Sequence, residues 1–383
     1  MRPEEFGPGS PGRLVRTEHG VWAYVPGVLP PELALDWAIV RMLGEAERAA
    51  GELAGFWRGR AEAGLVTPLL VRREAVASSR IEGMRAGLTE VLLFEVSGRE
   101  VGDVREVANC VAALEHGIAQ VGNVPVSLWM IRQLHGMLMD GMDEGHKRPG
   151  AFRTEQAFIG SEVGRGIEHA RFVPPPAIEL PHVLNDLERF VRSESELPFL
   201  VRMALIHYQF EAIHPFGDGN GRVGRLLVLL FLAERGLLPQ PLLYLSAYFE
   251  RTRSTYYDLL LRVSTHGDWI GWITYFLEGV RVQAANATEL ADRLLGLQAR
   301  YRTALQSARR TANSLALVDH LFVNPIVSAS SVQRALGISA PTALATIRIL
   351  EREGMVREVT GRKWGMAFQA DEILELVRGE DGP

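Results

Sequence analysis

The chain has 383 residues, of which 47% are hydrophobic and 23% charged, with a net charge of −5. That length supports two or three domains with their own cores, in an ordinary globular composition. It excludes a global basic field, so nucleic-acid contact would need a local patch, and Cys110 as the single cysteine excludes an internal disulfide. A reducing cytosol is the expected compartment. The N-terminal residues 1–14 lack the apolar stretch of a signal peptide. The longest apolar run, Leu226 to Ala233, is too short to span a bilayer, so no membrane contact is expected.

Residues 1–31 are rich in Pro and Gly and predict irregular structure, with Gly20 to Val25 extended. Leu33, Trp37, Val40, Leu43 and Leu53 recur at helical spacing up to Ala61, with breaks expected near Gly51 and Gly55. These are packing helices of an N-terminal lobe over residues 1–100. Thr67 predicts an N-cap with Pro68 at N1, and Gly83 closes that helix as C′. Ser78 and Glu82 then share one face. Glu82 falls in the last turn, where the helix dipole disfavours a carboxylate. Either it is a solvated helix-end residue or it has a cationic partner elsewhere.

Val104 to Leu114 and Ser127 to Met139 carry two further helical patterns, and His135 on the second reads as a structural histidine. Arg148 to Arg153 leads into two extended pieces, Gln156 to Gly160 and His169 to Val173. They flank Gly164-Arg165-Gly166 and predict a β-hairpin, stopped by Pro174-Pro175-Pro176.

Leu200 to Ala212 suits an amphipathic helix, and Leu226 to Ala233 a buried one ending near Gly236. Between them lies His214-Pro215-Phe216-Gly217-Asp218-Gly219-Asn220-Gly221-Arg222-Val223-Gly224-Arg225. Gly217, Gly219 and Gly221 let the backbone turn its N–H groups inward. A helix start adds its positive pole, which together suits phosphate oxygens. Arg222 and Arg225 add bidentate donors. Asp218 offers the single carboxylate with which Mg²⁺ is usually held beside nucleotide phosphates. His214 has the near-neutral pKa of a general base. The competing reading is a tight helix–helix loop that needs glycine. No G-x-x-x-x-G-K-S/T is present, and the glycines follow a helical pattern, which argues against a dinucleotide-binding βαβ unit.

Tyr256 and Tyr257 are adjacent on a further predicted helix, so they point different ways. Trp269 to Ala285 and Glu289 to Arg309 read as two helices, with residues 286–312 an arginine-rich connector. The tail, residues 313–383, predicts helices at Ser314 to Phe322, Ser330 to Leu336 and Ala340 to Glu353, the last capped by Ser339 and closed by Gly354. Strand-like Val356 to Val359 and Trp364 to Phe368 follow. This order resembles a winged-helix domain. Arg348, Arg352, Arg357, Arg362 and Lys363 could touch a phosphate backbone, diluted by Glu351 and Glu353. DNA binding and a structural or dimerising (homodimer) role both stay open.

The segment 214–225 is similar to the complete signature of Fic-domain proteins, most of which transfer AMP from ATP to a protein hydroxyl. The resemblance covers roughly residues 30–285. It implies a mainly α fold, with a Fic-type helical core at 101–285 and a small β-hairpin flap, followed by the winged helix-turn-helix tail. It implies that His214 deprotonates the target hydroxyl and that Asp218 holds Mg²⁺. Gly219, Asn220, Gly221, Arg222 and Gly224 would line the nucleotide, with Arg225 at the γ-phosphate. Ser78 to Gly83 resembles the inhibitory Ser/Thr-x-x-x-Glu-Gly/Asn helix of the family, here about residues 68–83. By that resemblance Glu82 pairs with Arg225 and blocks seating of the γ-phosphate. The hairpin resembles the family's flap, which would hold a target segment by strand addition and set Ile159 and Gly160 against the nucleotide. Tyr256 and Tyr257 would lie near adenine and ribose, or else pack in the core. The expected function is an autoinhibited protein adenylyltransferase using ATP and Mg²⁺ on Ser, Thr or Tyr hydroxyls. A DNA-binding regulator with a nucleotide-sensing core, AMP removal and another phosphotransfer are the alternatives.

Overall fold

The computed structural model describes residues 1–60, 63–142, 148–160, 166–236, 243–361 and 365–379. It is mainly helical. In chain order the elements are β1 (Arg13–Arg16), β2 (Trp22–Val25), α1 (Trp37–Trp57), α2 (Ala63–Ile81), α3 (Leu88–Ser97), α4 (Val104–Gln120), α5 (Leu128–Leu138), α6 (Leu180–Arg192), α7 (Phe199–Ile213) and α8 (Asn220–Glu234). There follow α9 (Ser246–Arg251), α10 (Arg253–His266), α11 (Trp269–Ser307), α12 (Ala312–Val323), β3 (Ile326–Ser328), α13 (Ala329–Leu336), α14 (Ala340–Arg352), β4 (Arg357–Glu358), β5 (Ala367–Gln369) and α15 (Asp371–Arg378). The chain divides into two compact units, one of Met1–Gly51 with Ala112–Ala284 and one of Glu52–Val111 with Ala285–Pro383.

In the first unit α7 and α8 form the centre. Both are apolar around nearly their whole circumference, the pattern of a helix enclosed on all sides. α6 and α10 pack on α7, and α5 packs on α8. α6 is amphipathic instead, and buries Leu180, Val183, Leu184, Leu187 and Phe190. The Trp272 indole is fully buried and donates to the Ala204 carbonyl at 2.8 Å, which satisfies the one polar atom of that ring. β1 and β2 pair antiparallel with Arg13 opposite Val25; Gly20 to Val25 was expected to be extended, whereas the β1 region was expected to be irregular.

In the second unit α2 packs on α12, α3 and α15, and α3 packs on β3. α2 buries Leu69, Leu70 and Val71, and α12 buries Leu317, Val318, Leu321 and Phe322. Glu95 on α3 accepts from Arg72 Nε at 2.8 Å and from Asn324 Nδ2 at 3.3 Å. The tail strands form an antiparallel sheet of order β3-β5-β4.

Several expectations are corrected. α1 runs unbroken through Gly51 and Gly55; burial of Ala46, Leu53 and Trp57 outweighs the cost of about 1 kcal/mol that each glycine carries in a helix. α2 starts at Ala63, so Thr67 and Pro68 lie inside the helix and not at its cap. The two helices predicted after Trp269 are one helix of 39 residues. Within the described part of the hairpin, strand pairing is a single bridge between Ile159 and Phe172, and Ile167–His169 is a 3-10 turn that takes in His169, the expected first residue of the second strand. The predicted turn residues Gly164 and Arg165 fall outside the described residues, as do Arg362, Lys363 and Trp364.

Candidate active site

The signature begins where α7 ends. His214 takes the left-handed conformation, φ 50° and ψ 63°, and its N–H closes on the Phe210 carbonyl at 3.0 Å. A non-glycine residue costs about 1–2 kcal/mol there, and such strain gathers at functional sites. α8 starts inside the signature, at Asn220, so residues 220–225 are its opening turns and not a loop before it. The helix's first N–H groups have no preceding turn to accept them, which gives the anion-binding end its donors. Gly219 precedes them at φ 75°, and a Cβ there would come within 3.0 Å of Leu138 Cδ2 and 3.2 Å of Met139 Sδ. The conformation therefore favours glycine at 219, and a Cβ there would also crowd two flexible side-chain ends.

The loop is held in shape by its own side chains. Asn220 Oδ1 accepts the Phe216 N–H at 2.8 Å, while its Nδ2 donates to the Phe216 carbonyl at 2.9 Å. Asp218 Oδ1 accepts the Gly219 N–H at 2.6 Å and lies 3.9 Å from Arg222. Arg222 and Arg225 are 2% and 3% exposed, so their cations are buried and not on the surface. A Cβ on Gly224 would meet Glu211 Oε1 at 2.2 Å, so this glycine lets α7 and α8 approach.

Two residues outside the signature complete the frame. His135 on α5 accepts the Gly150 N–H at Nδ1, 3.0 Å away, which leaves Nε2 to donate to the Asp218 carbonyl at 3.1 Å. Burial holds its pKa down to about 4, against a smaller opposing effect of Asp218, so it is neutral at physiological pH. Arg153 donates from Nε to the His214 carbonyl at 2.8 Å, and its own N–H reaches the Pro215 carbonyl at 2.9 Å. The sequence assigned His135 a purely structural role and Arg153 none. Its only signals were a histidine on an apolar helix face and an arginine just before an extended segment.

Ile159 is half-buried and Gly160 exposed, and the Ile159 N–H bonds the Phe172 carbonyl at 2.8 Å. The adjacent tyrosines separate as expected. Tyr256 is 1% exposed and its hydroxyl donates to His207 Nε2 at 2.9 Å. Tyr256 packs in the core, one of the two alternatives open for it, whereas Tyr257 is half-buried. His207 donates from Nδ1 to the Gly224 carbonyl at 3.2 Å. Burial, with help from Arg225, pushes its pKa down to about 3.

Ser78 and Glu82 lie in the second unit and Arg225 in the first. Ser78 is 3% exposed, whereas Glu82 at the end of α2 is exposed. There the Gly83 N–H bonds the Arg80 carbonyl at 2.9 Å and the Met84 N–H the Ser79 carbonyl at 3.2 Å, the two bonds of a Schellman end. Gly83 has φ 92°.

Among the described residues no three His, Cys, Asp or Glu side chains gather as a metal centre. Asp218 alone beside an amide-lined helix start fits a cation that takes its remaining ligands from phosphate and water.

Comparisons with known proteins agree with this architecture. Residues 125–232 match the Fic/DOC family and residues 40–119 the Fic/DOC family N-terminal region. A probable protein adenylyltransferase of Aquifex aeolicus is 42% identical over 69 residues, which are 18% of this chain and 22% of that protein. The protein adenylyltransferase Fic of Drosophila erecta is 29% identical over 178 residues, 45% of this chain and 32% of that protein. The matches thus span 22% and 32% of these curated relatives. A crystal structure of a Fic family protein from Desulfovibrio desulfuricans shares the fold, with a TM-score of 0.56 at 23% identity over 89% of this chain and 98% of that one.

Proposed function

We propose, from the premise that this is a Fic-domain protein, that it transfers AMP from ATP to a Ser, Thr or Tyr hydroxyl of a target protein. The observation that carries this reading is the junction of α7 and α8: a left-handed His214 at one helix end is followed six residues later by the start of the next, whose first turns carry two buried arginines. His214 takes the proton from the acceptor hydroxyl. The hydroxyl oxygen bonds to the α-phosphorus, the bond from that phosphorus to the bridging oxygen breaks, and pyrophosphate leaves. Gly219, Asn220, Gly221, Arg222 and Gly224 form the phosphate cradle, with Arg225 at the terminal phosphate. Backbone donors and fixed cations stabilise the charge that develops there. Asp218 would hold Mg²⁺, which neutralises phosphate charge when bound. Ile159, Gly160 and Tyr257 border the nucleotide, and the flap edge takes the target segment.

The protein is also read as self-restrained. Glu82, with Ser78 and Gly83 shaping the end of α2, competes with the γ-phosphate for the Arg225 guanidinium. The tail is read as a winged helix, α13-turn-α14 followed by the β4–β5 pair. Its charge favours a structural or dimerising role over DNA binding, because Arg348 is paired with Glu351 at 2.6 Å and Arg357 with Asp371 at 2.9 Å. No helix among the described residues is long and apolar enough to cross a membrane, and the cytosol is the proposed compartment.

Mass spectrometry of a lysate incubated with ATP tests both halves. Glu82→Gly is expected to leave AMP on protein hydroxyls or on itself, far above the unsubstituted chain. The doubly changed Glu82→Gly, His214→Ala chain should leave none. No adduct from Glu82→Gly counts against transfer, and equal adducts with and without Glu82 count against self-restraint.

A further inference from the structure

We infer that Arg153 is a positioning residue that ties the flap to His214, so that one guanidinium sets both the seating of the flap and the aim of the general base. The inference deepens the transfer reading and rests on it for the role of His214.

Arg153 is 7% exposed, and its donors fan out over two parts of the first unit. Toward the end of α7, Nε reaches the His214 carbonyl at 2.8 Å and one terminal nitrogen the Ile213 carbonyl at 3.4 Å. Toward the flap, the other terminal nitrogen reaches the Glu155 carbonyl at 3.0 Å, and the first also reaches Pro175 at 2.6 Å. Glu155 and Pro175 stand on the two chain segments that lead to the Ile159–Phe172 bridge. With its own N–H on Pro215, Arg153 holds the carbonyls of 213, 214 and 215 together.

The chemistry explains why a cation stands there. The last carbonyls of a helix have no intrahelical partner and carry the negative end of its dipole. Burial lowers the Arg153 pKa to about 10, which keeps it charged at neutral pH. Only a planar fork with several fixed donors serves acceptors in two directions; an ammonium is a single point. His214 needs such support, since its left-handed backbone is not its own preference. Gln156 supplies a natural control. Its Nε2 donates to the Pro174 carbonyl at 2.9 Å and so braces the same flap stem, while the bonds to His214 belong to Arg153.

The test compares Arg153→Lys with Gln156→Ala in the full chain, with the activity arm carried out on chains that also carry Glu82→Gly. It follows hydrogen exchange of residues 155–160 and 166–175, the pH titration of the His214 ring by NMR, and automodification with ATP and Mg²⁺. Flap exchange should rise about tenfold in both variants. The His214 titration should move only in Arg153→Lys, where kcat falls by about tenfold or more while KM for ATP stays within about twofold. The inference is overturned if Arg153→Lys leaves the His214 signals unmoved, or if Gln156→Ala moves them as far. Should Arg153→Lys not fold, the unsubstituted chain decides: on addition of ATP and Mg²⁺ the Arg153 Nε–H and His214 ring signals must shift together, and independent movement overturns the tie. Absence of transfer in every variant, measured in chains that also carry Glu82→Gly and with the exchange and NMR differences intact, would overturn the transfer reading alone.

Discussion

The imidazole of His135 lies flat on the ring of Phe216, with centroids 3.7 Å apart and planes 5° from parallel. The same ring donates to the Asp218 carbonyl at 3.1 Å, so one side chain supports two residues of the signature from below. His135→Ala removes the stack and both hydrogen bonds and leaves a cavity, and should cost about 2–4 kcal/mol of folding stability. His135→Phe keeps the stack and should cost less, with the remaining loss assignable to Asp218 and Gly150. Urea denaturation midpoints of the two variants check this; a His135→Phe chain as stable as the unsubstituted one would assign no stability to those bonds.

Acid should destabilise the fold through its buried histidines. His135 and His207 have pKa values pushed down to about 4 and about 3, chiefly by burial. The unfolded chain binds their protons at about pH 6.5, so the folded state binds fewer below that pH. Their contribution is whole above about pH 6.5 and declines as pH falls toward the folded values, by about 1.4 kcal/mol per pH unit for each group. His207→Phe should therefore flatten the fall in stability between pH 6 and pH 4 by roughly one proton's worth. Equal slopes in the two chains would count against a neutral buried His207.

Gly219→Ala places a methyl group at φ 75° and within 3.0 Å of Leu138 Cδ2. The backbone cost alone is about 1–2 kcal/mol. If α8 keeps its start by shifting the loop, ATP affinity measured by calorimetry should fall about tenfold, since 1.4 kcal/mol corresponds to that factor. Unchanged affinity and stability would mean that the left-handed turn is not needed.

Asn220 tests whether the loop is built before any ligand arrives. Asn220→Ala strands the buried N–H and carbonyl of Phe216, at about 1–3 kcal/mol for each group left unpaired. Asn220→Asp keeps the acceptor but turns an oxygen toward the Phe216 carbonyl, and should be no better. Thermal melts without ATP should already show both losses; a loss seen only with ATP would make Asn220 a ligand contact and not a brace.

The parts of the site that were legible in the sequence are the local ones. Twelve contiguous residues carried the helix–turn–helix junction, and caps such as Ser127, Ser339, Gly83 and Gly354 act on neighbours a few positions away. What the sequence concealed depends on distant partners. His135 acts on a residue 83 positions on, Arg153 on one 61 away, and the burial of Tyr256 follows from His207, 49 positions before it. β3 has only three residues and exists because β5 pairs with it, which no pattern within Ile326–Ser328 announces. In the flap the two predicted extended pieces do meet, at the antiparallel Ile159–Phe172 bridge, while the Ile167–His169 turn was not announced by any local pattern.

The packing of α2 against α12 and α15 has a practical consequence for anyone cutting or recombining this gene product. By linear order the C-terminal seventy or so residues look like a detachable cassette. Physically they are the other half of a core whose first half is encoded near the beginning, so a truncated or swapped tail would uncover the face of α2 that packs on α12 and α15. Such a hybrid is expected to behave as a damaged N-terminal region and not as a protein missing an appendix.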